Sequence, residues 1–311
     1  MRNDSRAALR RVHAAAWAAL AVTIALTVGI GGTITSAEVG MAYPTWPDIN
    51  GGSLFSFFYG ELAREFGRGS VVEHTHRQAG TLTGLLVLLA ALLAWFGRAV
   101  PRAVRLLAAA ALLATIAQGL LGAARVLANS YTGAVIHAVG AQAVVVLLVA
   151  LVKRSGAAWS EPPAPGTREA AARLRAWSGA ALALLFVNLF AAASLRHKQG
   201  AFAGHLTLAL LSAGVLIFLA LCVRRDFPAA ARLRGLARRL QAALGVQILL
   251  GIASWLWLLG PLAGAEPGDR AHFLLQAALA TAHLLCGVLV MAAAAALWIE
   301  ARWRTRAEQG P

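Results

Sequence analysis

A run of ionisable residues, Val72-Glu73-His74-Thr75-His76-Arg77, leads directly into a long apolar stretch, Ala79 to Phe96. Ionisable groups at the mouth of a membrane span are costly to keep, so a functional site is the default reading there. Glu73 lies one helical turn before His76, close enough to stabilise positive charge or take a proton beside it. Three more histidines stand at or inside later apolar stretches: His137, His205 and His283.

The four fall one to each even-numbered apolar stretch, mostly in its outer half, a pattern that unrelated core histidines rarely make. A lone intramembrane imidazole is ordinarily just hydrogen-bonded to a neighbouring helix, but four placed in register suit axial ligation of heme iron, one imidazole to each face of the porphyrin. Small residues beside them, Gly80, Gly84, Gly133, Ala138, Gly140, Gly204 and Gly287, would let a flat macrocycle approach the backbone. Zinc fits less well, because it wants three or four ligands at one point and no tight Cys/His spacing occurs. Heme propionates need cationic partners, and Arg77 and Arg125 are placed for it, with Arg196 and Lys198 ahead of His205. His13, His197 and His272 read as ordinary, and His74 is a further candidate beside His76.

These residues need helices to hold them. The chain of 311 residues is 59% hydrophobic and 13% charged, with a mean hydropathy of +0.68, against about a quarter charged in soluble domains. It reads as an all-α membrane protein with eight spans, near 12–33, 76–96, 106–126, 133–152, 176–195, 204–223, 240–260 and 272–298, each about the 20 residues that a bilayer core requires. The net charge of +15 does not imply a nucleic-acid partner, since in a membrane protein the distribution over loops matters more than the sum. With the N-terminus inside, 21 of the 28 Lys and Arg fall on inner segments, which predicts both termini in the cytoplasm. The first span has basic residues before it and Thr35-Ser36-Ala37 after it, as a signal peptide would, but its apolar run is too long for one. Cys222 and Cys286 both lie within spans and imply no disulfide.

Residues 34–73 form a long outer loop rich in Gly, Pro and aromatics, expected to fold over the outer mouth of the bundle; an interfacial aromatic belt is the alternative. Glu161-Pro162-Pro163-Ala164-Pro165-Gly166 reads as a linker. The chain thus divides into a four-helix half, 1–152, a cytoplasmic linker, 153–175, and a second four-helix half, 176–311. His76 and Gln118 are 42 residues apart, as are His205 and Gln247, and Gln118-Gly119-Leu120-Leu121-Gly122 matches Gln247-Ile248-Leu249-Leu250-Gly251 at an offset of 129. His137 and His283 differ by 146 because the last outer loop is longer. Four spans per unit makes the halves parallel pseudo-repeats with one site each.

Glu73-His74-Thr75-His76-Arg77 with Gly80 and Gly84 resembles the Glu-x-x-His-Arg signature that opens span 2 of heme A synthases. Gly40-Met41-Ala42-Tyr43-Pro44-Thr45-Trp46-Pro47 resembles their first outer loop, and the eight-span plan extends the likeness over most of the chain. The resemblance implies that His76 and His137 hold the substrate heme, that His205 and His283 hold a heme b cofactor, and that Glu73 is the functional carboxylate. It implies oxidation of a methyl group of heme O to the formyl group of heme A in the cell membrane. The implied partners are the farnesyl-transferring heme O synthase, cytochrome oxidase, membrane lipid and an electron donor of unknown identity. Thr45 stands where the family usually has Asp, Leu206 where many members have Arg, and the outer-loop cysteine pairs of some bacterial members are missing, which removes thiol chemistry.

Two other functions use the same histidines. A di-heme b-type cytochrome would pass electrons from quinol without altering a heme, and an assembly factor would bind heme reversibly and work without Glu73. Formyl heme in the extracted pigment separates the first reading from both.

Overall fold

The computed structural model describes residues 2–49, 51–56, 58–160, 167–264 and 269–307. Every named element among them is helical: α1 (Arg2–Val22), a π-helical segment (Thr23–Val28), α2 (Gly29–Ser36), α3 (Tyr59–Glu65), α4 (Arg68–Phe96), α5 (Arg102–Leu127), α6 (Tyr131–Ser155), a 3-10 turn (Ala157–Ser160), α7 (Arg168–Arg196), α8 (Phe202–Asp226), α9 (Ala231–Leu258) and α10 (Arg270–Ala307). Eight stretches are long and apolar enough to cross a membrane, the first being the continuous Arg6–Ser36. Apolar segments of that length become helices because nothing else satisfies the backbone in hydrocarbon. The Glu161–Gly166 linker, Asn50, Phe57 and residues 265–268 of the last outer loop lie outside the described residues.

Local chemistry sets the helix ends. The Ser130 hydroxyl accepts from the Gly133 N–H at 2.9 Å and caps α6, while Thr167 accepts from Ala170 N–H and caps α7. Gly67, at φ +80°, turns the chain from α3 into α4 through a conformation that suits glycine.

The helices run further than expected. α4 begins at Arg68, eight residues before the expected start at 76, and α10 continues beyond 298. The expected 34–73 loop is therefore shorter, since α2 runs to Ser36 and α3 and two turns of α4 lie within those bounds. Glu73 and His74 are helical residues rather than loop residues. The loop does fold back, with Tyr43, Ile49 and Leu62 fully buried in a small core of their own. Phe55 and Phe58 point outward instead, at 74% and 82% exposure.

Contacts close α1, α4, α5 and α6 into one ring, and α7, α8, α9 and α10 into another; α10 then packs on α2 and α6 to join them. The largest core cluster draws on both rings, through Val12, Val87, Ala108 and Leu148 on one side and Leu182, Val288, Met291 and Ala295 on the other. Leucines such as Leu85, Leu113 and Leu249 stay on the outside, as lipid-facing positions require.

Polar ties cross between the rings at both ends of the bundle. At the end of the bundle near the histidines, Arg196 of α7 donates to the Gly32 carbonyl at 2.6 Å, to Ser36 Oγ and to the Ala280 carbonyl, while Ser36 bonds Thr281 at 3.0 Å. At the opposite end Glu300 of α10, fully buried, takes Lys153 of α6 at 2.6 Å and Arg232 of α9 on the same oxygen. Each tie satisfies charges that would be expensive if left alone.

Candidate functional site

His76 projects from α4 toward the first span where that span leaves ideal geometry. The π-helical segment Thr23–Val28 offers the Thr27 backbone to the imidazole, and single π turns are frequent at functional sites. Next to it, Gly31 leaves the room: a Cβ there would lie 2.8 Å from His76 Cε1. His76 Nδ1 is buried and has no hydrogen-bond partner among the described residues, which is costly unless something absent from the structure completes it.

His137 reaches inward from α6, across from His76. Gln118 of α5 donates from Nε2 to the His137 carbonyl at 2.8 Å and contacts His137 Nδ1 at 3.0 Å. Two glycines make space, since a Cβ on Gly122 would sit 3.0 Å from His137 Cε1 and one on Gly140 would sit 2.5 Å from Gln118 Oε1.

The second ring brings two histidines together as well. His205 of α8 bonds through Nδ1 to Asn188 Oδ1 of α7 at 2.9 Å. His283 of α10 bonds through Nδ1 to the Gln247 carbonyl of α9 at 3.2 Å, and its Nε2 lies 3.3 Å from Gln247 Nε2. Gly251 stands to His283 as Gly122 does to His137, again 3.0 Å from Cε1, and Gly287 leaves room for the Gln247 amide. The two rings lie 6.4 Å apart, with planes 81° apart.

That separation tests whether a metal could sit between them. Metal to imidazole bonds of about 2 Å on opposite sides put ring centres about 6 Å apart, so the spacing of His205 and His283 is one that two imidazoles on a single metal would have. Among the described residues no three His, Cys, Asp or Glu gather at one point. The glycines divide: Gly80, Gly84 and Gly204 face open space, whereas Gly133, Gly140 and Gly287 are filled by Arg125, Gln118 and Gln247. The last three therefore serve packing of protein side chains, not the approach of a macrocycle as expected.

Glu73 is buried and held at both oxygens. Oε2 accepts the Ala42 N–H at 2.8 Å and Oε1 pairs with Arg77 at 2.9 Å. Arg77 donates as well to the carbonyls of Tyr43, Thr45 and Asp48, and stacks over the Tyr43 ring. Both terminal nitrogens of Arg77 are thus engaged in tying the outer loop to α4. The Arg125 guanidinium, by contrast, has no hydrogen-bond partner among the described residues, and it lies within electrostatic reach of Glu73, His76 and His137.

His74 faces elsewhere. Its Nε2 meets Gln78 at 2.8 Å, and Tyr59 both stacks edge-on to it and donates to Gln78. His13 bonds Val152 and Ser155 at the far end, and His272 bonds Gln276 beside its loop. His197 is half-buried outside the spans; burial, then Arg125 and Arg196, pushes its imidazole down from its ordinary value.

Sequence reasoning missed Asn188, Gly31 and the contacts of Gln118 and Gln247 with the histidines, the two glutamines having entered only as markers of the repeat. An amide inside an apolar span is the signal that was available for Asn188.

Residues 62–204, just under half of the chain, match the model of the COX15-CtaA family, described as cytochrome oxidase assembly protein. The matched stretch holds Glu73, His76, Arg77, Arg125 and His137 and stops one residue short of His205. The resemblance to the heme A synthase family is borne out over those residues. No curated protein matches the chain.

Proposed function

We propose, from a chain whose residues 62–204 carry the pattern of the cytochrome oxidase assembly family, that this protein is a membrane heme A synthase, an oxidoreductase converting a methyl group of heme O to the formyl group of heme A. The observation that carries the reading is the recurrence in both rings of two inward histidines, one of them set beside a glutamine and a glycine of the preceding helix.

In this reading the halves are pseudo-repeats, 1–152 and 176–311 joined by the 153–175 linker, both termini are cytoplasmic, and the heme sites lie toward the outer side of the cell membrane. His205 and His283 hold heme b, and His76 and His137 hold heme O and release heme A. Bound heme supplies the redox chemistry. Arg125, unpaired and beside both first-ring histidines, is the better partner for a propionate; Arg77 can offer only what its ties to the loop leave. The engagement of both Glu73 oxygens favours a fixed negative charge that stabilises positive charge at the reacting group over a freely moving base. The outer loop, drawn down by Arg77, excludes water from the first-ring site. Heme O comes from the farnesyl-transferring synthase, heme A goes to cytochrome oxidase, and the remaining partner is an electron donor of unknown identity.

The test is chromatography of heme extracted after co-expression with a heme O source. Heme A in the extract supports the reading. Heme b alone supports the b-type cytochrome instead.

A further inference from the structure

His137 is held in the opposite way to the second-ring histidines. A backbone carbonyl can only accept, so the contact of His283 with the Gln247 carbonyl places its proton on Nδ1, while its Nε2 meets the Gln247 amide at 3.3 Å. Asn188, with Oδ1 turned to His205 Nδ1 at 2.9 Å, places the His205 proton the same way. Iron bound at Nε2 would keep both Nδ1 bonds and displace the Gln247 amide from His283. In the first ring the end of the Gln118 amide is identified by the His137 carbonyl 2.8 Å away, which only an N–H can satisfy. The same nitrogen meets His137 Nδ1 at 3.0 Å, so Nδ1 accepts and the proton sits on Nε2, the atom that a metal needs. His76 Nδ1 has no hydrogen-bond partner among the described residues.

We propose that Gln118 is a positioning residue that keeps the first-ring site exchangeable: its amide holds His137 in the tautomer that iron ligation must undo, whereas Asn188 holds His205 in the one that ligation preserves. This rests on the ligand assignment above. Heme entering the first ring has to move the His137 proton to Nδ1 and turn the Gln118 amide, and the absence of a Cβ on Gly140, which would lie 2.5 Å from Oε1, gives the amide room. That is a sensible division for a protein that must release one heme and retain another, since partners of ligating histidines change metal affinity by about 10-fold to 100-fold.

The experiment loads the detergent-purified protein with hemin and follows its transfer to excess apomyoglobin. The wild type is expected to release heme in a fast and a slow phase, with His137→Ala removing the fast one and His283→Ala the slow one. In Gln118→Glu a protonated carboxyl donates to the His137 carbonyl and accepts from Nδ1–H, so the fast phase slows about tenfold while the slow phase is unchanged. Asn188→Leu quickens the slow phase about tenfold, and Asn188→Asp restores it. Melting temperatures identify any variant that fails to fold, and the Asn188 arm then stands alone. An unchanged fast phase in a folded Gln118→Glu, equal slowing of both phases, or an unchanged slow phase in Asn188→Leu overturns the proposal. Absence of hemin uptake by the wild type, or uptake that survives loss of both His137 and His283, overturns the ligand assignment itself.

Discussion

Glu73 and Arg77, one turn apart on α4, form a buried pair at 2.9 Å through which the first outer loop is bound to the second span. The carboxylate takes the loop N–H of Ala42 and the guanidinium takes three loop carbonyls. A motif that suggested chemistry therefore also ties the outer loop to the second span.

Those two functions separate by substitution. Glu73→Gln keeps an oxygen for Ala42 and loses the charge, so the loop is expected to stay protected while heme A formation falls at least tenfold, about 1.4 kcal/mol in the barrier. Arg77→Ala releases the loop and exposes residues 38–56 to protease. Limited proteolysis beside heme chromatography checks both, and undiminished heme A in Glu73→Gln removes that carboxylate from the reaction.

Adding one methyl group should empty one site at a time. Gly251→Ala places a Cβ 3.0 Å from His283 Cε1, and Gly122→Ala does the same to His137. Each ring must shift, so heme per protein is expected to drop in the matching half only. Pyridine hemochrome assays on the single and double variants test this, and equal loss from either variant contradicts two independent sites.

Glu300 offers a stability test far from the histidines. Removing it as Glu300→Leu leaves Lys153 and Arg232 facing each other without their anion, and breaking a buried pair costs about 3–5 kcal/mol. A lower melting temperature in detergent is expected, recovered in part by Lys153→Met in the same chain. No change in melting would show that water reaches the cluster.

Acid should loosen the outer loops through His197. Its folded value lies below that of the unfolded chain, so the unfolded chain takes up the proton first as pH falls below about 6.5. The stability is complete above that pH and is lost progressively as pH descends toward the folded value. Melting curves between pH 7.5 and 5 check it, and His197→Gln is expected to flatten the dependence.

The sequence alone determined the number and order of the spans, because a stretch of about 20 apolar residues can satisfy its backbone in a membrane only as a helix. It also picked out His76, His137, His205 and His283, since the Gln-x-x-x-Gly pattern and the shared spacing are visible in one dimension. Helix ends were less legible: polar residues such as Arg68 and Glu73 continue α4 beyond the apolar core, where hydropathy no longer marks it. Only the tertiary structure decided what each histidine touches. Helices apolar on every side carry no periodicity that fixes their rotation, so nothing in the chain pointed Asn188 at His205, Gly31 at His76, or the three loop carbonyls at Arg77. Those contacts join residues 17 to 45 positions apart, and they follow from how neighbouring helices pack, which hydropathy does not record.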